Sequence, residues 1–413
     1  MKVMLSINAG SSSLKVSVFA AQKACQPLHI ADAQLSGLTA PPCRLKYSRS
    51  GQQPVDKSAS HVQSLQDAFE LVLETLIDHG DLEQIASKQD IAITCHRIVH
   101  GGNYDQSHII TKDTYHDLEQ LSDLAPLHNG PALTIVDSCI QQLPHATNVA
   151  CFDSQFHATI PPHISTYPID QQVAQKNALR KYGFHGISYS FITRSVAHFL
   201  AKPVDQLNLI ALHLGSGASA CAIKAGKSWD TSMGLTPLAG LPGATRSGSV
   251  DPSLVFHYAS HVGRLSPAST KHLHISKAEE ILNKQSGWKS LTGTADFEAI
   301  ASSDQAQHVL AFDLLVDRIC GFVGSYYVSL RGNVDALVFA GGIGEKSPRL
   351  RRAVVEAVAC LGWTLDDHRN ASTCQSPVWD VGARDAKQRI LVCQTDEQLE
   401  MALKCCSKEE LWL

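Results

Sequence analysis

The sequence has neither a surplus of positive charge nor a long apolar run. Its 35 lysines and arginines are outnumbered by 39 aspartates and glutamates, so it lacks the basic excess that neutralises a phosphate backbone. This balance argues against nucleic acid as a partner. No segment approaches the ~18 consecutive apolar residues of a transmembrane helix, so we expect no membrane partner. Residues 1–8 predict a strand rather than a signal peptide, because polar Asn8 and the serines after it interrupt any apolar region.

Cysteine pairs with metal-ligand spacing are missing as well, and Cys405-Cys406 is the only close pair. The twelve cysteines are scattered, and none forms the C-x-x-C pair that is typical of zinc sites. A chain of 413 residues buries enough surface to fold without disulfides. We therefore expect reduced thiols and a cytoplasmic protein, with cysteines such as Cys221 and Cys320 filling the core. His96 and His100 lie in a β-branched stretch that predicts a strand, where four residues span about 13 Å, too far for one metal ion.

The remaining composition is that of an ordinary globular protein. Apolar residues make up 44% and charged residues 18% of the chain, which excludes a disordered protein. The 27 glycines and 17 prolines are too few for a fibrous one. At roughly 100–200 residues per domain, a chain of this length is expected to form two or three domains.

A strand–turn–strand pattern occurs twice. Residues 3–19 form two alternating apolar segments around Gly10-Ser11-Ser12, and residues 209–223 repeat the plan around Gly215-Ser216-Gly217. Such turns let main-chain N–H groups approach an anion without obstruction by side chains. Each pattern opens a mixed strand and helix segment, so the sequence predicts a duplicated α/β domain with a phosphate-binding hairpin in each half.

Apolar residues at helical spacing predict helices over 62–79, 189–200 and 307–331. A buried strand within 335–345 runs into Gly341-Gly342-Ile343-Gly344, a turn that would let a ligand lie against bare backbone. Taken alone, this segment is equally consistent with a plain strand-to-helix turn. The G-x-G-x-x-G spacing of a dinucleotide site is missing.

Nine short motifs follow one another along the chain. They are residues 8–15 (Asn-Ala-Gly-Ser-Ser-Ser-Leu-Lys), 96–102 (His-Arg-Ile-Val-His-Gly-Gly), 125–129, 152–157, 182–186, 213–217, 245–248, 341–345 and 395–397. In kind and order they resemble the signatures of the acetate, propionate and butyrate kinases, a branch of the actin, sugar kinase and heat-shock ATPase superfamily. The resemblance covers the whole chain. It implies two duplicated actin-like (ribonuclease H-like) α/β domains with the active site in the cleft between them, domain I at 1–153 with 397–413 and domain II at 154–396.

The resemblance also implies the reaction. ATP and acetate would give ADP and acetyl phosphate reversibly, with Mg²⁺, or Mn²⁺ as an alternative, and the enzyme would be a homodimer. Bringing two anions together needs positive charge and hydrogen-bond donors in a site closed to water. Preference for propionate or butyrate stays open, because one methylene in a pocket is worth only about 1–3 kcal/mol. An inactive binding relative is a further alternative.

Six residues carry the chemistry in this resemblance. Arg97 holds the acetate carboxylate, since arginine binds planar oxyanions with two hydrogen bonds. Arg246 and His185 stabilise the transferring phosphoryl group. Asp153 orients the arginines or the acyl substrate, although an aspartate at a strand end is often a helix cap. Asn8 and Glu397 match the magnesium-site residues, although Glu397 alone reads as the opening residue of a helix.

Apolar and nucleotide contacts complete the predicted site. The methyl group of the substrate would be enclosed by Val99, Leu127, Phe184 and Pro237. The nucleotide contacts implied by the resemblance are Lys15, His213, Leu214, Gly215, Ser216, Gly217, Asp296, Phe297, Glu298, Gly341, Gly342, Ile343, Gly344 and Glu345.

Four positions depart from the family pattern. Ser216 stands where asparagine is usual, Ala239 replaces glutamate, Glu298 replaces arginine and Lys346 replaces asparagine. All four belong to the predicted nucleotide side, whereas the acyl side keeps its pattern. We therefore expect altered nucleotide affinity with the reaction intact.

Overall fold

The computed structural model describes residues 1–39, 41–49, 52–78, 82–121, 126–258, 265–267, 269, 275–374 and 376–412, with the side chains of 126–128 excepted. The chain divides into Met1–Gln155 with Asp396–Leu413, called unit 1 here, and Phe156–Thr395, called unit 2.

Two sheets contain the strands of the described residues. In chain order the strands are β1 (Lys2–Ala9), β2 (Ser13–Ala21), β3 (Leu28–Ser36), β4 (Arg44–Arg49), β5 (Val55–Ser58), β6 (Ile91–Ile98), β7 (His108–Ile109), β8 (Thr147–Phe152), β9 (Leu209–Leu214), β10 (Ala218–Lys224), β11 (Lys227–Thr231), β12 (Ala336–Ala340), β13 (Val378–Asp380) and β14 (Arg389–Cys393).

Helices of very different length connect the strands. They are α1 (Leu65–Asp78), α2 (Lys112–Leu121), α3 (Pro126–Gln142), α4 (Pro162–Ser165), α5 (Gln171–Lys176), α6 (Gly186–Phe199), α7 (Leu254–Tyr258), α8 (Lys277–Lys284), α9 (Gly287–Thr292), α10 (Phe297–Ala301), α11 (Ala306–Ser329), α12 (Gly341–Lys346), α13 (Pro348–Ala357), α14 (Asp367–Ala371) and α15 (Glu397–Cys406).

The sheet of unit 1 has the strand order β5-β4-β3-β2-β1-β6-β8-β7. Strand β1 pairs antiparallel with β2 and parallel with β6, which in turn pairs parallel with β8. In this register Ile7 lies opposite His96, and Ile98 lies opposite Phe152. Parallel strands end at the same edge of a sheet, where α/β proteins place their ligands. The residues at the carboxyl ends of β1, β6 and β8 therefore lie side by side.

The sheet of unit 2 repeats this plan in the order β11-β10-β9-β12-β14-β13. Strand β9 pairs antiparallel with β10 and parallel with β12, which pairs parallel with β14. An antiparallel hairpin extended by two parallel strands thus occurs in both units. The repetition confirms the predicted duplicated α/β class.

Each sheet is covered by helices whose apolar spacing was visible in the sequence. In unit 1, α1 buries Phe69, Val72 and Leu76 in the core that the sheet and α3 share. In unit 2, α11 buries Leu315, Ile319 and other apolar residues in the core of the second sheet. Full burial of such a side chain stabilises the fold by about 1.5–3 kcal/mol, so these faces anchor the strands that position the site.

The twelve cysteines are free thiols. Cys221 is buried on β10, where burial raises the pKa of its thiol, as expected for a core residue. Cys320 on α11 is only half-buried against the core of unit 2. None of the helices that the structure describes combines the length and the apolar character needed to cross a bilayer.

Candidate active site

Three polar residues meet where β1, β6 and β8 end. Asn8 lies on β1, Arg97 lies on β6 and Asp153 directly follows β8. Arg97 Nη2 donates to Asp153 Oδ2 at 2.6 Å, and Arg97 Nε lies 3.2 Å from both carboxylate oxygens. Arg97 Nη1 donates to Asn8 Oδ1 at 3.3 Å. The pairing of the strands thus assembles three of the residues that the sequence placed in the site.

The pair of Arg97 and Asp153 is shielded from water. The Asp153 side chain is fully buried, and that of Arg97 is 20% exposed. Burial alone would lower the pKa of Arg97, but the carboxylates of Asp153 and Glu397 outweigh it and hold that pKa above its usual value. The guanidinium therefore stays charged, and Asp153 determines its orientation. Asp153 is therefore the buried ion-pair partner of Arg97.

Helix α15 brings Glu397 to the same strand ends. Asp396 caps the helix by accepting from the N–H of Leu399. Asn8 Nδ2 donates to Glu397 Oε2 at 3.0 Å, and Arg97 Nε lies 3.7 Å from that oxygen. The two residues expected at a magnesium site are therefore in direct contact, and Glu397 is also the first residue of a helix.

The oxygen atoms of Asn8 and Glu397 fit a hard cation. Mg²⁺ prefers carboxylate and amide oxygens and usually keeps several waters and substrate phosphates in its shell. Among the described residues, no group of three or more His, Cys, Asp or Glu side chains is arranged to hold a metal ion. A site built on these two residues would accordingly depend on oxygens from the nucleotide and from water.

Lys15 lies next to this group. In the β1–β2 hairpin it is directly opposite Asn8, and its side chain is exposed. Its carbonyl oxygen accepts from Gln398 Nε2 at 3.2 Å, which ties the hairpin to α15. This predicted nucleotide contact thus belongs to unit 1, beside the predicted metal residues.

In unit 2, predicted residues surround the turn between β9 and β10. A Cβ atom built on Gly217 would lie 3.0 Å from Arg246 Nη1 and 3.7 Å from His185 Nε2. The rings of His185 and His213 are 4.4 Å apart. The turn itself is held by the main chain, since the N–H of Ala244 donates to the carbonyl oxygen of Ser216 at 2.8 Å. Arg246 and His185, both predicted catalytic residues, thus lie beside the Gly215-Ser216-Gly217 turn.

The third glycine segment is helical. It forms α12, which follows β12 directly. Gly341 has a φ of 74°, and a Cβ there would lie 2.7 Å from the carbonyl oxygen of Leu214, so glycine is required. Apart from its chain neighbours and the backbone of its own helix, no described residue has an atom within 4 Å of a Cβ built on Gly342. Gly341 therefore packs against the end of β9, while Gly342 leaves space beside it.

In the segment 296–298, the first two residues have structural roles and the third faces solvent. Asp296 caps α10 by accepting from the N–H of Glu298 at 3.0 Å. Phe297 is buried and packs its ring against those of Trp288 and Phe312. Glu298 is exposed. Its carboxylate is therefore accessible to a charged ligand, whereas Phe297 belongs to the core of unit 2.

The predicted acyl-pocket residues are distributed over both units. Phe184 and Pro237 are buried in unit 2, on segments joined by hydrogen bonds from the N–H groups of Tyr182 and Gly183 to the carbonyl oxygen of Gly234. Val99 is half-buried in unit 1, just after β6. Leu127 lies in α3, but its side chain falls outside the described part of the structure.

Comparison with known proteins identifies the family of this chain. A sequence model of the acetokinase family matches residues 3–403. The chain belongs to the acetokinase family. A "Probable acetate kinase" of Chaetomium globosum is 58% identical over 99% of both chains. Membership of the acetokinase family confirms the resemblance found in the sequence and the expected class of enzyme, a phosphotransferase with a carboxyl group as acceptor.

Solved structures of acetokinase-family members share the fold over nearly the whole chain. A propionate kinase from Francisella tularensis aligns with a TM-score of 0.85 at 31% identity, covering 98% of this chain and 99% of its own. An acetate kinase from Porphyromonas gingivalis aligns with a TM-score of 0.82 at 30% identity, covering 97% of this chain and 98% of its own. The fold class expected from the motifs is thereby confirmed.

Some supporting residues of the acetokinase site were not predicted individually. His157 is buried between Ser228 Oγ, 2.7 Å from its Nδ1, and the carbonyl oxygen of Phe184, 2.9 Å from its Nε2. Burial lowers the pKa of His157 to about 4, so the ring is neutral. Asn129 accepts from the N–H of His100 and donates to its carbonyl oxygen. Both residues lie inside motifs recognised in the sequence, 152–157 and 125–129, and those motifs could have identified them.

Proposed function

We propose that this member of the acetokinase family transfers the γ-phosphoryl group of ATP reversibly to acetate, giving acetyl phosphate and ADP. The observation that carries the proposal is the environment of Arg97. Its guanidinium keeps its charge, lies at the ends of three strands and is oriented by the buried carboxylate of Asp153. A fixed cation of this kind binds a small carboxylate with defined direction.

The reaction requires no proton to be removed from acetate. A carboxylate oxygen of acetate forms a bond to the γ-phosphorus, the bond from that phosphorus to the bridging oxygen breaks, and ADP leaves with the electron pair. Arg97 holds the attacking carboxylate. Asp153 acts on Arg97 and not on the substrate, which agrees with its hydrogen bonds to Nε and Nη2.

Arg246 and His185 serve the phosphoryl group. Negative charge spreads over three equatorial oxygens during transfer, and donors already aimed at those oxygens lower the barrier. Both side chains approach Gly217, where the absence of a Cβ leaves room for them. The nucleotide phosphates would lie along the glycine-rich segments of unit 2, with Gly342 providing open backbone.

Magnesium is part of this proposal. Asn8 and Glu397 would hold it through their side-chain oxygens, together with water and phosphate oxygens. When bound, the ion neutralises charge on the phosphates.

Propionate is a second candidate substrate, because a propionate kinase is among the structures that share this fold. Val99 is the residue in question, since it is expected to enclose the methyl group of the substrate, and a smaller side chain there would leave room for a further methylene. One methylene changes transition-state binding by about 1–3 kcal/mol. Comparison of kcat/KM for acetate and propionate decides between the two, and we expect acetate to have the larger value.

We further propose a cytoplasmic homodimer. The cytoplasmic location is supported by the free thiols. Self-association is implied by the family resemblance. Light scattering coupled to size exclusion measures the mass directly, and a monomer at micromolar concentration would contradict the dimer.

Trapping the product with hydroxylamine tests the proposed reaction. Wild-type enzyme with acetate, ATP and magnesium should form acetyl hydroxamate. Arg246→Ala should lower turnover by about 10²-fold or more, because it removes a donor aimed at developing charge. Arg318→Ala is the matched control in unit 2, since Arg318 is 57% exposed and its ion-pair partner is the neighbouring, also exposed Asp317 on α11. Absence of hydroxamate with wild type, or full activity of Arg246→Ala, would contradict the proposal.

A further inference from the structure

Two buried hydroxyl groups, those of Ser219 and Tyr189, form a hydrogen-bonded series that ends at His185 Nδ1, while Nε2 of the same ring faces Gly217. His185 Nδ1 lies 2.8 Å from Ser219 Oγ, and Ser219 Oγ lies 2.6 Å from the hydroxyl oxygen of Tyr189. Ser219 and Tyr189 have no exposed surface, and His185 is 9% exposed. Neither Ser219 nor Tyr189 was singled out in the sequence, and neither approaches the phosphoryl group in the proposed reaction.

This hydroxyl chain has a direction. The hydroxyl of Tyr189 is buried, and Ser219 Oγ, 2.6 Å away, is the acceptor within its reach among the described residues. Burial raises the pKa of Tyr189, so this hydroxyl keeps its proton and can donate it. Because a buried O–H group without an acceptor is costly, Tyr189 donates to Ser219. Ser219 in turn donates its own proton to His185 Nδ1.

A neutral imidazole carries one proton, and a hydrogen bond received at one nitrogen places that proton on the other. We propose that Ser219 and Tyr189 are positioning residues that keep His185 in the tautomer protonated at Nε2, so that it donates a hydrogen bond toward Gly217. This inference rests on the proposed function in one respect only, the assignment of the phosphoryl group as the recipient of that hydrogen bond.

The main chain supports the same arrangement. His185 has a φ of 60° and a ψ of 21°, a left-handed conformation that non-glycine residues adopt at an energetic cost. It immediately precedes α6, and the N–H of Tyr189 donates to the carbonyl oxygen of His185 at 3.0 Å. Tyr189 is thus attached to His185 both through the first turn of the helix and through Ser219. The backbone and the hydroxyl chain together direct Nε2 toward Gly217.

The tautomer determines whether His185 assists or opposes transfer. Protonated at Nε2, the ring presents a donor to the negatively charged oxygens, as the proposed role requires. The other tautomer would present a lone pair to the same oxygens and repel them. Fixing the proton before the nucleotide binds therefore removes an unproductive state of the enzyme.

Long-range ¹H–¹⁵N correlation spectra of enzyme labelled with ¹⁵N-histidine measure the tautomer directly. The His185 signals are assigned by their loss in His185→Gln. In wild type without substrates, we expect a protonated Nε2 and an unprotonated Nδ1. Ser219→Ala should convert this pattern to a mixture of tautomers and lower kcat by roughly 10-fold or more, as loss of an outer partner does at other preorganised sites. KM for acetate should change by less than about twofold, because ground-state binding is not altered.

Tyr189→Phe provides an independent variant that keeps nearly all of the packing. It should shift the tautomer in the same direction by a smaller amount, because Ser219 then remains free to turn its proton either way. Tyr326→Phe is the matched control, since Tyr326 is a buried tyrosine of unit 2 whose hydroxyl has no hydrogen-bond partner among the described residues. This control should leave the His185 signals and kcat unchanged.

A wild-type spectrum with the proton on Nδ1 would overturn the inference. So would a Ser219→Ala enzyme with unchanged His185 signals and unchanged kcat. The spectra need neither acetate nor nucleotide, and the wild-type spectrum alone decides the tautomer even where a variant fails to fold. A wild-type enzyme that forms no acetyl hydroxamate would contradict the proposed function and leave the tautomer assignment standing.

Discussion

Replacement of Arg97 by alanine is expected to destabilise unit 1 in addition to slowing phosphotransfer. The variant removes the guanidinium from a fully buried carboxylate to which it donates at distances from 2.6 to 3.2 Å. Breaking a buried ion pair from one side costs about 3–5 kcal/mol, because the remaining charge stays buried. At about 2–4 °C per kcal/mol for a domain of this size, the melting temperature of unit 1 should fall by roughly 6–20 °C.

The loss of stability should depend on pH in a defined direction. Without Arg97, burial raises the pKa of Asp153 in the folded variant above the value of about 3.9 expected in the unfolded chain. Between these two values the folded state binds more protons than the unfolded state, so stability falls as pH rises. The wild-type pair has no such penalty, because the charge of Arg97 favours the ionised carboxylate. The difference between variant and wild type should therefore be larger at about pH 8 than at about pH 5.

Scanning calorimetry of both proteins at the two pH values tests this reasoning. Arg44→Ala is the control in unit 1, since Arg44 and Asp56 form an ion pair at 3.0 Å with 53% and 39% of their side chains exposed. Such an exposed pair contributes only about 0.2–1 kcal/mol. The reasoning is contradicted if Arg97→Ala has the same melting temperature as wild type at both pH values. A large loss that is equal at both pH values would show that the buried charge of Asp153 is not its cause.

Two further predictions concern specificity. Val99→Ala should raise kcat/KM for propionate relative to acetate by up to about 10-fold, because loss of the two valine methyl groups makes room for the additional methylene of propionate. An unchanged ratio would remove Val99 from the acyl site. Glu298→Arg should tighten ADP binding measured by titration calorimetry, because the exposed carboxylate of Glu298 repels phosphate charge. The gain in affinity should shrink as salt increases. Turnover at saturation should change little, because Glu298 does not contact the reacting atoms. Equal affinities of the two proteins would show that Glu298 does not face the nucleotide.

Much of the fold was predictable because its helices carry regular apolar faces. The stretches predicted at 62–79 and 307–331 correspond to α1 and α11, within three residues at each end. Helix α6 begins at Gly186, three residues before the predicted start at 189. The left-handed conformation of His185 sets this start, and apolar periodicity does not report it. The glycine-rich segment at 341 was predicted as a turn, yet it winds into α12 once Gly341 has changed the chain direction with its positive φ.

The members of the site were predictable from motifs, but their contacts were not. Arg97 and Asp153 meet because β6 and β8 pair in register, with Ile98 opposite Phe152, and strand order is not visible in a motif. Ser219 on β10 and Tyr189 on α6 meet beside the His185 ring because α6 packs near β10, and a motif does not report that packing. Phe297 was assigned by resemblance to the nucleotide, whereas its ring lies in the core beside Trp288. That nucleotide assignment stays a prediction.

At two positions that depart from the family pattern, 216 and 298, the main-chain hydrogen bonds do not depend on the side chain. Ser216 contributes its carbonyl oxygen to hold Ala244, a contact that any residue can make. Its replacement of asparagine therefore changes a side-chain donor while leaving the turn beside Gly217 in place. Glu298 is exposed on α10, and its N–H is bound by Asp296 whatever side chain it carries. Arg97, Asp153, Asn8 and Glu397 make their contacts with one another in unit 1. Substitutions at 216 and 298 should therefore alter nucleotide affinity without disturbing the group that binds the carboxylate.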